Sequence, residues 1–325
     1  VTSAALMEMV SGLYRTQMLY VMARLGIADR VAAGPRSAAE LAAESGADAD
    51  ALFRVLRALA GLGVLTQDEH DRFGPTAASE LLRPGTKGSP HARLLCYGEP
   101  WWWSVTGGLL ETVMTGEPGF ERVHGCSLFE WLAARPDASA IFDAHMTAMT
   151  GAEVDAVVAA APLPETGTVV DVAGGRGTLL AAVLRARPGL RGVLFELPHV
   201  AQNAVVGERC EVVAGSFFEA VPAGADVYTL KDIVHDWDDE RAIAILRTVR
   251  AAIPATGRLL VIERVIPPGD TPAPGKLVDV TMLLITGGRE RTHEQYGRLL
   301  AEAGFRLEAI APTAAGTDVI SARPD

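Results

Sequence analysis

Residues 168–178 constrain the fold more tightly than any other stretch of the chain. Thr168-Val169-Val170-Asp171-Val172 is a β-branched run around a single carboxylate, and it passes with no polar spacer into Ala173-Gly174-Gly175-Arg176-Gly177-Thr178. A short, nearly continuous apolar run fits a strand covered on both faces. A glycine-rich turn that opens into a helix makes it the first half of a βα unit. The alternation continues to the C-terminus. Strands are expected at 168–172, 192–196, 210–214, 226–230 and 259–262, and two more near 306–310 and 318–321. Helices are expected at 178–187, 239–253 and 293–303, the second with Ile243, Leu246, Val249 and Ile253 on one face. This pattern predicts an α/β fold with a mostly parallel, doubly wound sheet. Ligands of such sheets bind outside the carboxyl ends of the strands.

The first 150 residues read instead as helix after helix. Residues 4–31 hold Leu6, Met9, Leu13, Met18, Val21, Met22, Leu25 and Ile27. That is apolar on too many faces for a solvated helix, so burial is expected in this chain or a partner chain. Ser37 and Glu40 form a capping box before a helix that Gly46 breaks. Residues 49–62 follow with Leu52, Val55, Leu56 and Leu59 at helical spacing, and 64–74 read as a hairpin turning at 67–71. Helix, turn, helix and hairpin make a winged helix. Residues 1–100 carry ten basic and eleven acidic side chains, and the second helix opens on Asp48, Asp50 and Ala51 where a DNA reader places Arg, Lys, Asn or Gln. The whole chain has 29 basic and 40 acidic residues, a net charge of −11. Acidic charge repels phosphate backbones and anionic lipid, so a dimerisation role is expected and a DNA-binding regulator is the disfavoured alternative.

Other classes are disfavoured more briefly. No apolar run reaches the roughly 18 residues of a membrane span, and Glu8, Arg15 and Arg24 interrupt any signal-peptide pattern. Cys96, Cys126 and Cys210 are odd in number, and neither they nor the seven histidines show metal-ligand spacing. The expectation is a cytoplasmic protein with reduced thiols and no metal.

The glycine loop is the first sign of chemistry. Glycines let backbone approach a ligand closely, and free N–H groups at a helix start can meet an anion. Glu196, 19 residues beyond Gly177, ends the next strand, where a carboxylate can accept both ribose hydroxyls of a nucleoside. The loop alone leaves NAD(P), FAD, S-adenosylmethionine or an unliganded tight turn open. Its Asp-x-x-Gly-Gly-x-Gly form departs from the dinucleotide fingerprint, and no second mononucleotide-binding half is visible.

Five motifs occur in order: 171–178, Glu196-Leu-Pro-His199-Val, Gly215-Ser216-Phe217-Phe218, Leu230-Lys231-Asp232-Ile-Val-His235-Asp236-Trp237 and Gly287-Gly288-Arg289-Glu290-Arg291-Thr292. Together they resemble the family of plant caffeic acid and chalcone O-methyltransferases, and more closely bacterial O-methyltransferases of polyketide and antibiotic pathways. The resemblance spans essentially the whole chain. It implies a Rossmann-like S-adenosylmethionine-binding domain at 161–325, a helical linker and pocket segment at 101–160, and a winged-helix dimerisation domain at 1–100. It implies S-adenosylmethionine as cofactor and S-adenosylhomocysteine as product, with Asp171, Gly174, Gly175 and Gly177 in the cofactor loop. Gly174 would face the methionine portion, Glu196 the ribose, Ser216 and Phe217 the adenine, and Lys231 the adenosyl edge. Many members carry Asp where Ser216 stands; serine still accepts a hydrogen bond, with less charge assistance.

Methyl transfer from a sulfonium is a direct displacement, so the protein must align the acceptor and remove its proton. A phenol of pKa about 10 is mostly protonated at neutral pH, and a histidine is suited to deprotonate it. His235 follows the fourth strand. Position alone leaves a rim base and a surface histidine beside a helix cap equally open. By resemblance His235 is the base, and Glu263 and Glu290 flank and orient it. Asp236 is expected to support the turn or touch substrate. Trp102, Phe142, His145, Met146, Met149, Ile233 and Met282 are candidates for the walls of an aromatic pocket, plain core being their alternative. By resemblance Arg15 reaches a neighbouring subunit's site in a homodimer. The expected activity is O-methylation of a small hydroxylated aromatic. N-methylation, hydroxylation and decarboxylation are the alternatives within the family.

Overall fold

Capping signals start and stop the helices of the N-terminal part. Helix Ser3–Arg24 begins where the Thr2 hydroxyl accepts from Ala5 N at 3.2 Å. It ends because Gly26 turns left-handed (φ 61°), so the apolar stretch expected over 4–31 is broken into two helices, the second being Ile27–Val31. Met22, Ile27 and Val31 enter a core with Leu41, Leu56, Leu59 and Phe73. Leu6, Met7, Met9, Val10, Leu13 and Tyr14 remain exposed in the single chain, so burial within the chain fails for the first half of the segment. The expected capping box is present: Glu40 N donates to Ser37 Oγ, and Ser37 N to Glu40 Oε2. Helices Ala38–Ser45 and Ala49–Gly61 follow, with strands β1 (Arg36–Ser37), β2 (Thr66–Gln67) and β3 (Arg72–Gly74) in the order β1-β3-β2. This computed structural model describes residues 2–86 and 88–325, which pack as two units, one ending at Trp103 and the other starting at Ser104.

The second unit is built on seven strands: β4 (Thr166–Val172), β5 (Gly189–Glu196), β6 (Cys210–Ala214), β7 (Val227–Lys231), β8 (Arg258–Glu263), β9 (Phe305–Pro312) and β10 (Asp318–Pro324). They lie in the order β6-β5-β4-β7-β8-β10-β9, and only β10 runs antiparallel to its neighbours. The strand order reverses between β4 and β7, which opens a crevice beyond their carboxyl ends. Every strand read from the sequence is present. Helix Asp239–Ala252, capped by Asp238, buries Ala242, Ile245, Leu246 and Val249. The expected stripe is largely present: Leu246, Val249 and Ile253 are buried, and Ile243 packs half-buried against the same core. Helix Gly275–Ile285 escaped the sequence reading. No described helix is long and apolar enough to cross a membrane.

The Asp239–Ala252 helix packs beneath the strands that carry the crevice. Leu246→Ala should therefore destabilise the protein by about 2–5 kcal/mol, read by denaturant unfolding.

Candidate active site

The glycine turn after β4 has almost no spare room. A Cβ on Gly174 would stand 2.4 Å from Asp171 Oδ2 and 2.6 Å from Leu194 Cδ1. Asp171 is buried. Its Oδ1 accepts from Thr229 Oγ1 at 2.6 Å, and its Oδ2 has no hydrogen-bond partner. Burial pushes this carboxyl up to about 6. At the end of β5, Glu196 accepts from Gly175 N at 2.9 Å and Leu197 N at 2.7 Å, and burial raises its pKa as well. Gly177 does not face the cavity. It sits at φ 88°, and a Cβ there would strike Val206 at 2.4 Å, so this glycine serves close packing.

Above the turn lies a cavity of about 240 Å³, lined entirely from the second unit. Asp171, Gly174, Gly175, Glu196, Ser216, Phe217, Lys231 and Asp236 all line it. Helix Pro136–Ala160 forms the opposite wall with Ser139, Phe142, Asp143, Met146, Thr147 and Thr150, one face at helical spacing. An aromatic corner closes one side, where the Trp237 ring stands edge-on to Phe218 at 4.9 Å and to Phe217 at 6.1 Å.

His235 sits in the short turn Val234–Asp236 and is only 4% exposed. Its Nδ1 lies 2.8 Å from Glu290 Oε1 and 3.1 Å from Glu263 Oε2, while Nε2 is 4.0 Å from Asp236 Oδ1. The imidazole does not itself line the cavity, but Ile233 and Asp236 on either side of it do. Glu263, fully buried at the end of β8, accepts the N–H groups of Ile233, Val234 and His235 on Oε1 at 3.1, 2.9 and 3.2 Å. Burial pushes Glu263 up to about 8 and Asp236 up to about 7. For His235 burial acts downward, yet Glu263, the Glu290 hydrogen bond and Asp236 together hold the imidazole well above its ordinary value.

Two further groups fix this loop. Arg291, 1% exposed, donates to the carbonyls of Val234 (3.0 Å) and Trp237 (2.8 Å) and to Asp239 Oδ1. Arg289 N donates to His235 O at 2.8 Å. Beside the loop, Lys231 pairs with Asp232 and with Glu153 (3.1 Å), while Arg264 pairs with Glu153 (2.6 Å) and Asp232 (3.0 Å). This buried quartet of two cations and two anions ties helix Pro136–Ala160 to the ends of β7 and β8. Ligand atoms of Asp232, His235 and Glu263 come within 4.8 Å of one another, but the Asp232 oxygens are engaged by Lys231 and Arg264.

Three residues expected at the pocket do not line this cavity. His145 and Met282 are buried and Met149 is half-buried, and none of the three lines the cavity. Trp102 and Arg15 belong to the first unit, where Trp102 stacks on Tyr97 at 4.7 Å and Arg15 is half-buried on the first helix. The sequence reading missed Phe129, Asp143 and Trp237 as cavity residues and Arg291 as the clamp. Extending Phe142 and Met146 by helical spacing to 139, 143, 147 and 150 would have found the polar members of that wall.

Residues 107–306 match the O-methyltransferase domain family, and residues 7–84 match the O-methyltransferase dimerisation domain. The chain belongs to this O-methyltransferase family. The methyltransferase is 44% identical to the phenazine O-methyltransferase PhzM of Lysobacter antibioticus, over 99% of this chain and 96% of the relative. It is 37% identical to the mitomycin biosynthesis 6-O-methyltransferase of Streptomyces lavendulae, over 95% and 90%. It is also 36% identical to an 8-amino-8-demethylriboflavin N,N-dimethyltransferase of Streptomyces davaonensis, over 94% and 91%. Among solved structures, LaPhzM superposes with a TM-score of 0.95 at 44% identity, each chain covered to 99%. An O-methyltransferase of neocarzinostatin biosynthesis, in complex with S-adenosylmethionine and a hydroxynaphthoic acid, superposes with a TM-score of 0.84 at 34% identity, each chain covered to 96%. The protein is thus an S-adenosylmethionine-dependent methyltransferase of the antibiotic and secondary-metabolite type. Its own cradle fits that cofactor: a turn without room for a side chain, an Asp171 oxygen without a hydrogen-bond partner, and a carboxylate at the end of β5.

Gly288 is where the histidine loop meets the 287–291 segment. A Cβ there would stand 2.0 Å from His235 O and 2.4 Å from Asp236 C, both backbone atoms that cannot yield. Gly288→Ala should cost about 1–3 kcal/mol of stability by overpacking and lower turnover by about a hundredfold through displacement of the loop. Thermal unfolding and steady-state kinetics read the two effects.

Proposed function

We propose that this methyltransferase methylates a hydroxyl oxygen of a small aromatic molecule, with His235 as the base that removes the hydroxyl proton. The observation that carries this reading is the two-carboxylate grip on Nδ1, with Glu290 at 2.8 Å and Glu263 at 3.1 Å. Carboxylates on that side fix the tautomer with the proton on Nδ1 and leave the Nε2 lone pair to accept a proton. They also stabilise the imidazolium once the proton arrives. S-adenosylmethionine supplies the methyl group already activated on a sulfonium.

Within that reading, Glu196 accepts the ribose hydroxyls and Ser216 and Phe217 lie along the adenine. Asp171, Gly174 and Gly175 shape the methionine end, and Lys231 holds the adenosyl edge through its place in the buried quartet. Phe142 and Met146 give the acceptor apolar walls, which suits a flat ring. Asp236 stands between the imidazole and the cavity, in reach of the substrate. The enzyme acts as a homodimer through its N-terminal unit, a reading supported by the dimerisation-domain match and by the exposed apolar first half of helix Ser3–Arg24. N-methylation is the competing reaction, because two relatives, the aminoriboflavin N,N-dimethyltransferase and a phenazine-1-carboxylate N-methyltransferase of Pseudomonas aeruginosa, carry that activity in their names. An amine attacks through a lone pair it already has and needs no proton removed first, so it leaves the buried base without a task.

His235→Gln should lower turnover on a hydroxylated aromatic by about 10²–10⁴-fold while S-adenosylhomocysteine affinity by calorimetry stays within about threefold. Equal loss of cofactor binding would contradict the assignment. The pH profile gives an independent check. The base works only when neutral, so activity is lost as pH falls through the His235 pKa, which is held above 6.5. The acidic limb of kcat therefore lies above pH 6.5, and Glu263→Gln, which removes the strongest upward influence, should move it to lower pH.

A further inference from the structure

Asp143 stands out on the cavity wall. It lies on helix Pro136–Ala160 between Phe142 and Met146 on the face that lines the cavity. Among the described residues no hydrogen bond or ion pair engages its carboxylate, whereas nearly every other buried acid here is taken. Its electrostatic neighbours are Arg176 of the glycine turn, His199 and Glu196, which places it facing the turn rather than the histidine loop. Partial burial raises its pKa, so a cation arriving beside it would be a favourable partner.

We propose that Asp143 receives the α-ammonium group of the cofactor's methionine arm, and so selects ligands that carry the amino acid over bare thioadenosines. The inference rests on the reading that Glu196 holds the ribose, because that contact points the amino-acid arm toward the turn and the helix opposite. Only one ligand cation besides the sulfonium needs a counter-charge there, and Glu196 is already committed to two N–H groups and the sugar. The glycine turn offers N–H groups suited to the α-carboxylate. The opposite wall supplies the missing negative charge.

The test compares two ligands by calorimetry on wild type, Asp143→Asn and Glu196→Gln. S-adenosylhomocysteine carries the ammonium. 5′-Methylthioadenosine keeps adenosine and thioether but lacks the arm. Asp143→Asn is isosteric, and an unchanged melting temperature confirms folding. The expected result is a loss of tenfold or more in S-adenosylhomocysteine affinity with 5′-methylthioadenosine affinity unchanged. Equal losses for both ligands, or no loss for either, overturn the proposal. Failure of the underlying ribose assignment shows separately, as Glu196→Gln keeping full affinity for 5′-methylthioadenosine.

Discussion

The site depends on one buried carboxylate. Glu263 ends β8 with no exposure, and its two oxygens do different work. One gathers three consecutive N–H groups of the loop after β7, and the other lies against the imidazole that the loop presents. A buried carboxylate without partners would cost several kcal/mol or give up its charge. Here the backbone of the neighbouring strand's loop is the partner. The loop's shape and the ring's position are thereby set by the same residue, and both are anchored to a parallel strand pair that cannot shift without breaking the sheet.

The electrostatics around His235 follow from this arrangement. Glu263, Glu290 and Asp236 crowd one buried imidazole, and three bare negative charges cannot coexist there. The site answers by holding protons: Asp236 and Glu263 are pushed up to about 7 and about 8 by burial, and the imidazole is raised despite it. In the proposed mechanism whatever carboxylate charge remains favours moving the phenol's proton onto the imidazole, since the imidazolium so formed neutralises charge that the fold has already buried. A solvated histidine of ordinary basicity faces a larger mismatch with a phenol of pKa about 10.

How much of this was legible in the sequence depended on how local the cause was. The seven strands, the Ser37–Glu40 capping box and the Gly46 stop were readable, since each is written in a few adjacent residues. The histidine and its two carboxylates lie far apart in the chain and were found through resemblance, not spacing. His145, Met149 and Met282 were named for their type, but type does not say which face of a helix meets a cavity. Arg291 shows the limit most clearly. Beside Glu290 and before Thr292 nothing local marks it as buried, yet it is almost wholly buried because its guanidinium satisfies backbone carbonyls that the histidine turn leaves unpaired.

That division explains why the family's chemistry can vary while its scaffold does not. Glu263, Arg291 and Gly288 meet backbone atoms of the 233–237 loop, so in the proposed mechanism they fix where the base stands whatever acceptor arrives. In the proposed reading the acceptor would meet a different set, the face of helix Pro136–Ala160 from Ser139 to Thr150 and the Phe217–Phe218–Trp237 corner, which line the cavity. Relatives named for phenazines, mitomycin and an aminoriboflavin are 36–44% identical to this chain over the aligned residues, which fits a proposed division in which substrate choice rests on one helix face and proton handling on the sheet.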